Sequence, residues 1–110
     1  MEKQKLLFVC SQNKLRSLTA EKMFENNTDF AVKSAGTEQN ARQKITAGMI
    51  GWADMIFVME RKHRDRLKQK FSEEIREKQV ITLNIPDDFE FMQPELIEIL
   101  EHRLAEYFDF

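Results

Sequence analysis

The sequence predicts an α/β fold, a three-layer sandwich in which a four-stranded parallel sheet lies between helices. Short apolar runs of strand length alternate with longer segments of helical periodicity along the whole chain, and parallel strands need crossovers of that kind. The 110 residues, 42% of them hydrophobic and nine of them Phe, suffice for one core and not for two. A single domain is therefore expected over residues 1–110.

Lys5-Leu6-Leu7-Phe8-Val9 is a continuous apolar run, as expected of a strand buried on both faces. Ser17 to about Asn26 reads as the first helix, with Leu18, Ala20, Met23 and Phe24 as its core stripe and Asn26-Asn27 as its end. Ala31-Val32-Lys33-Ser34 reads as a second strand closed by Ala35-Gly36-Thr37, and Glu38 to Lys44 as polar loop. A helix is expected over 45–52, although Gly48 and Gly51 weaken it. Asp54 to Met59 is the expected third strand, Arg61 to about Phe71 a strongly charged helix, and 72–78 a short turn or helix. Val80-Ile81-Thr82-Leu83 reads as the fourth strand and Pro86-Asp87-Asp88 as a loop. Pro94 suits the first position of a last helix, whose apolar face is Leu96, Ile97, Leu100, Leu104 and Phe108.

Charged residues make up 33% of the chain, but the signs nearly cancel at net −2, so no global field draws it to nucleic acid or anionic lipid. The nine residues before Cys10 read as a strand with no room for a secretory signal, and no apolar run approaches a membrane span. Cys10 is the single cysteine. That excludes an internal disulfide and a multi-cysteine metal site, and a reduced cytoplasmic thiol is the economical reading. Neither a metal nor a cofactor is expected, and the oligomeric state stays open.

Cys10 and Arg16 stand at C-x5-R spacing where the first strand ends and the first helix begins. Ligands bind beyond the carboxyl ends of parallel strands, at helix N-termini. There the backbone N–H groups of Ser11, Gln12, Asn13, Lys14, Leu15 and Arg16 can curl around three phosphate oxygens. Asn13 suits the left-handed conformation such a curl needs. Arg16 can hold two phosphate oxygens in a planar fork. The same positive environment favours a nucleophilic Cys10 thiolate, to which the Ser17 hydroxyl can donate. A lone cysteine is often a small buried hydrophobe, and an arginine at this spacing is weak evidence alone. Strand, loop, arginine and helix together outweigh that reading.

Val9-Cys10-x-x-Asn13-x-x-Arg16-Ser17-x-x-Ala20-Glu21 resembles the phosphate loop of the low-molecular-weight protein tyrosine phosphatases. Ser34-Ala35-Gly36-Thr37 is similar to the end of that family's second strand, Ala53-Asp54-x-Ile56-x-Val58-Met59 to its third, and Pro86-Asp87-Asp88-Phe89 to its acid loop. The resemblance implies phosphomonoester hydrolysis through a phosphocysteine, with Asp87 as the general acid and Asp88 as its close competitor. One carboxyl group can protonate the leaving oxygen and later deprotonate water; the plainer reading of Asp87-Asp88 after Pro86 is a turn. The chain departs from the family pattern in several places. Gln12 stands for the usual glycine, Leu18 for a proline, Leu15 for the second loop cysteine, and Asp87-Asp88 for Asp-Pro. The region after Gly36-Thr37, which normally supplies part of the pocket wall, is shortened.

Phe89 and Phe91 are candidates for either the pocket wall or the core. His63 and His102 lie in charged helical patterns and are expected in solvent. Arg61 to Lys70 holds six Lys/Arg against one acid, Asp65. A solvated face is the favoured reading of that run, and contact with nucleic acid is possible but not favoured. Arg42 is a candidate for an extra anionic contact. The expected function is metal-independent hydrolysis of a phosphorylated protein, phosphotyrosine foremost, or of a related small phosphoester, by Cys10, Arg16 and Asp87. The alternative is a nucleotide or RNA-end (cyclic) phosphate hydrolase using the same loop. A catalytically silent phosphate-binding module is disfavoured by the complete residue set.

Overall fold

Leu6, Leu7, Phe8 and Val9 are all fully buried, which requires a strand covered on both faces. The computed structural model, which describes residues 3–108, places them in β1 (Gln4–Cys10), inside a four-stranded parallel sheet of order β2-β1-β3-β4. Its partners are β2 (Phe30–Gly36), β3 (Met55–Val58) and β4 (Gln79–Thr82). The predicted fold class is thus the observed one.

Side-chain alternation along β1 sends Leu6 and Phe8 to one face and Leu7 and Val9 to the other. The first face packs with Phe57 of β3 against α1 (Arg16–Met23) and α5 (Pro94–Leu104), through Ala20, Phe24, Leu96, Leu100 and Leu104. Phe8 stacks between Phe24 and Phe57 at centroid distances of 5.8 and 5.3 Å. The second face packs with Ile56 and Val58 against α2 (Ala47–Trp52), α3 (Arg61–Lys70) and α4 (Ser72–Ile75), through Ile50, Leu67 and Ile75. Among the described residues no helix is long and apolar enough to cross a membrane.

Some boundaries differ from expectation. β1 runs on to Cys10 and β2 to Gly36, because each pairs residue for residue along the other's full length. β4 lies one residue earlier than expected. α2 begins after Thr46, whose hydroxyl accepts the Met49 N–H at 3.1 Å as an N-cap. The core stripe assigned to α1 is only partly right. Leu18 and Met23 are half-buried, whereas Arg16, Ser17 and Thr19 are buried. Apolar periodicity missed these because the first turn of α1 is packed against polar groups at the end of β1. Ile97 of α5 is likewise only half-buried.

Candidate active site

Cys10 ends β1, and the loop 11–15 turns from it into α1. The carbonyls of Cys10, Ser11 and Gln12 accept the backbone N–H groups of Thr37, Glu38 and Arg42 at 3.0, 3.0 and 2.9 Å, and the Asn13 carbonyl accepts Arg42 Nε at 3.1 Å. In a planar trans peptide the N–H points opposite to the C=O. Four carbonyls held on the outside therefore turn the next four N–H groups, Ser11 to Lys14, toward the inside. None of these donates to another described residue. Asn13, at φ 57°, is the left-handed residue that closes the curl. Gly36 permits the bracing: a Cβ there would meet the Ser11 carbonyl oxygen and Ala41 Cβ at 2.5 Å each.

Inside the curl, Asn13 Nδ2 donates to Ser17 Oγ at 2.8 Å, and Ser17 Oγ lies 2.9 Å from Cys10 Sγ. The Ser17 hydroxyl accepts from Asn13 and has its one hydrogen to donate, to sulfur at 2.9 Å or to the more distant Ala35 carbonyl at 3.5 Å. All three residues are buried. Arg16 is 2% exposed, and its Nη1 donates to Glu60 Oε1 and to the Ile85 carbonyl, the latter at 2.8 Å. Nε stands 3.6 Å from Asp87 Oδ1. Anchoring Nη1 leaves the edge formed by Nε and Nη2, a planar pair of donors matched to two oxygens of one anion. Burial opposes ionisation of Glu60, but the Arg16 hydrogen bond and charge, helped by Lys62 and His63, hold its carboxyl below the usual range. Loop residues 10–12 and 14–16 line a cavity of about 160 Å³ together with Asp87, which is 58% exposed. Asp88 is not part of that lining.

His63 is the main correction to the sequence reading. It is buried at 1% exposure, not solvated. Glu60 N–H donates to its Nδ1 at 3.0 Å, and its Nε2 lies 2.9 Å from Ser11 Oγ. Accepting at Nδ1 puts the ring hydrogen on Nε2, so Nε2 donates to Ser11 and leaves the Ser11 hydroxyl hydrogen free for the pocket. Burial first, and then the Arg16 charge, push the His63 pKa down to about 4. Between pH 6.5 and 4 the unfolded chain therefore binds a proton that the folded chain does not, and stability falls as pH falls through that window. Urea unfolding should show a loss of about 2 kcal/mol between pH 7 and pH 5 from this group. That component should be missing in His63→Gln, and an identical pH dependence in the two proteins would remove the assignment.

Neither Glu60 nor His63 was selected from sequence. The available signal was their placement three residues apart at the end of β3, where a reciprocal cap opens α3. His102 is exposed as expected. Arg42 braces the loop through its Nε and lines a different surface cavity with Glu21 and Lys33. Phe89 packs partly against the α1/α5 core, and Phe91 is exposed; neither lines the loop cavity. Among the described residues no group of three or more His, Cys, Asp or Glu is arranged to hold a metal ion.

A cysteine at the end of the first strand of a parallel sheet, inside a ring of inward N–H groups closed by a buried arginine, is the scaffold of a cysteine-based phosphatase. Residues 5–53 match the sequence profile of the family described as Low molecular weight phosphotyrosine protein phosphatase. Among curated protein sequences none matches the chain. Solved structures extend the likeness to nearly the whole chain. The YwlE arginine phosphatase from Geobacillus stearothermophilus is 21% identical with a TM-score of 0.70, over 97% of this chain and 99% of that one. The low molecular weight protein tyrosine phosphatase SP-PTP from Streptococcus pyogenes is 18% identical with a TM-score of 0.75, over 96% and 94%. The tyrosine phosphatase Wzb from Escherichia coli K30, in complex with phosphate, is 17% identical with a TM-score of 0.75, over 96% of each. Residues 5–53 thus match the sequence profile of the low molecular weight phosphatase family, and nearly the whole chain shares the fold of these solved structures.

Proposed function

We propose that this chain is a cysteine-dependent phosphatase that hydrolyses a phosphorylated protein side chain, phosphotyrosine foremost, through a phosphocysteine on Cys10. The observation that carries the reading is one small cavity holding a thiol at its floor, inward N–H groups around it, and Arg16 and Asp87 at its side. The loop N–H groups, the Ser11 hydroxyl and the Nε/Nη2 edge of Arg16 bind the phosphoryl oxygens and strengthen as the group becomes trigonal. The Cys10 thiolate attacks phosphorus, Asp87 protonates the leaving oxygen, and Asp87 then deprotonates the water that frees the thiolate. Ser17 donates to sulfur when it is an anion, before attack and again on departure. Structural relatives named as arginine and as tyrosine phosphatases support a phosphorylated protein as substrate. The nucleotide alternative takes Arg42 and the basic helix α3 as extra anionic contacts, and Arg42 Nε is engaged with the loop.

The role of Asp87 is tested by leaving-group dependence. A general acid matters most when the leaving oxygen is a strong base, and least for nitrophenolate, which departs as an anion. Asp87→Asn should therefore slow unactivated phenyl or alkyl phosphates by about 10²–10⁴-fold and nitrophenyl phosphate far less. Asp88→Asn should produce only a mild loss that is the same for every leaving group. The reverse ranking would move the acid to Asp88, and no leaving-group dependence in either variant would remove both.

A further inference from the structure

We infer that the groove between α3 and the outer edge of β4 binds an extended acidic polypeptide segment, and, if the phosphatase reading holds, that this segment belongs to the phosphoprotein substrate. β4 pairs with β3 on one side only, and among the described residues no strand covers its other edge. A free strand edge offers a row of backbone donors and acceptors to a further extended chain. Arg61, Arg64 and Lys68 stand at i, i+3 and i+7, hence on one face of α3. Two adjoining cavities of about 250 and 310 Å³ run beside that face and share Arg64 and Lys68. Arg76 extends the row past the end of α3. Among the described residues none of Arg61, Arg64, Lys68 and Arg76 has a carboxylate partner within 4 Å, and Asp65 is the single acid in the lining. Thr82 Oγ1, on the wall of the smaller cavity, is buried without a hydrogen-bond partner.

In a chain of net charge −2 this is a local segregation of cations, which repel one another until an anion lies among them. A polypeptide fits better than a nucleic acid, because one wall is a strand edge that only a peptide backbone can match. The groove also begins beside the active site. Arg61 follows Glu60, and Asn84 precedes Ile85, the two residues that anchor Arg16. Arg61 to Lys68 spans about 10 Å along the helix, the length of about three extended residues. Acidic side chains a few positions from the phosphorylated residue therefore meet Arg64 and Lys68.

The test measures fluorescence anisotropy of a labelled, unphosphorylated Glu/Asp-rich decapeptide with the full chain, against its Gln/Asn counterpart and a single-stranded oligonucleotide of equal charge. The acidic peptide should bind most tightly, weaken with salt, and bind about three- to tenfold more weakly to Arg64→Gln/Lys68→Gln. Equal binding of the two peptides, an unchanged affinity in the double variant, or tighter binding of the oligonucleotide would overturn the inference. In turnover, the double variant should raise KM for an acidic-flanked phosphopeptide with kcat unchanged, and leave nitrophenyl phosphate hydrolysis as in the wild type. A wild-type protein inactive on nitrophenyl phosphate would instead sink the phosphatase reading, and the anisotropy result would stand or fall by itself.

Discussion

Cys10→Ser should abolish turnover of nitrophenyl phosphate while inorganic phosphate still binds. A serine hydroxyl is not ionised near neutral pH, so the substituted side chain presents no strong nucleophile to phosphorus. The anion site is built from other groups: the inward N–H groups of the loop, held by Thr37, Glu38 and Arg42, and the buried Arg16. Titration calorimetry with phosphate should therefore give a dissociation constant within about threefold of the wild type, with activity at background. Mass spectrometry of this variant after incubation with substrate is a second readout. Phosphate found at the substituted position would mark it as the attacking atom. Turnover within tenfold of the wild type would end the nucleophile assignment.

Arg16→Lys should lower kcat by about 10²–10³-fold, the scale for loss of one strong transition-state donor. A lysine keeps the charge but has neither the planar fork nor the reach to serve Glu60 and the Ile85 carbonyl with one nitrogen while offering two others to the phosphoryl group. Glu60 is then left without its fixed partner, and the variant should also be less stable by about 1.5–3 kcal/mol. Thermal unfolding at pH 7 separates the two effects, because a folded variant with low kcat isolates the catalytic loss. A change confined to KM would show that Arg16 binds substrate and transition state alike, contrary to the assigned role.

How much of this was legible in the chain follows from the range of the forces involved. The alternation of apolar and helical segments, the C-x5-R spacing at a strand end and the left-handed Asn13 are local properties, set within about ten residues by steric preference and periodicity. They determined the sheet, the parallel sense of its strands and the place of the phosphate loop, and with the family resemblance they pointed to Cys10, Arg16, Ser17 and Asp87. The supports of that loop are not local. His63 reaches Ser11 across 52 residues, Glu60 reaches Arg16 across 44, and Arg42 reaches Asn13 across 29. His63 sits in polar, charged surroundings in the sequence, which made solvent the reasonable expectation. Tertiary structure decided otherwise. Parallel strands deliver all their carboxyl ends to one edge of the sheet, so the residues just after β1, β2 and β3 meet there whatever separates them in the chain. Polar groups brought together and buried at that edge must then find hydrogen-bond partners among themselves.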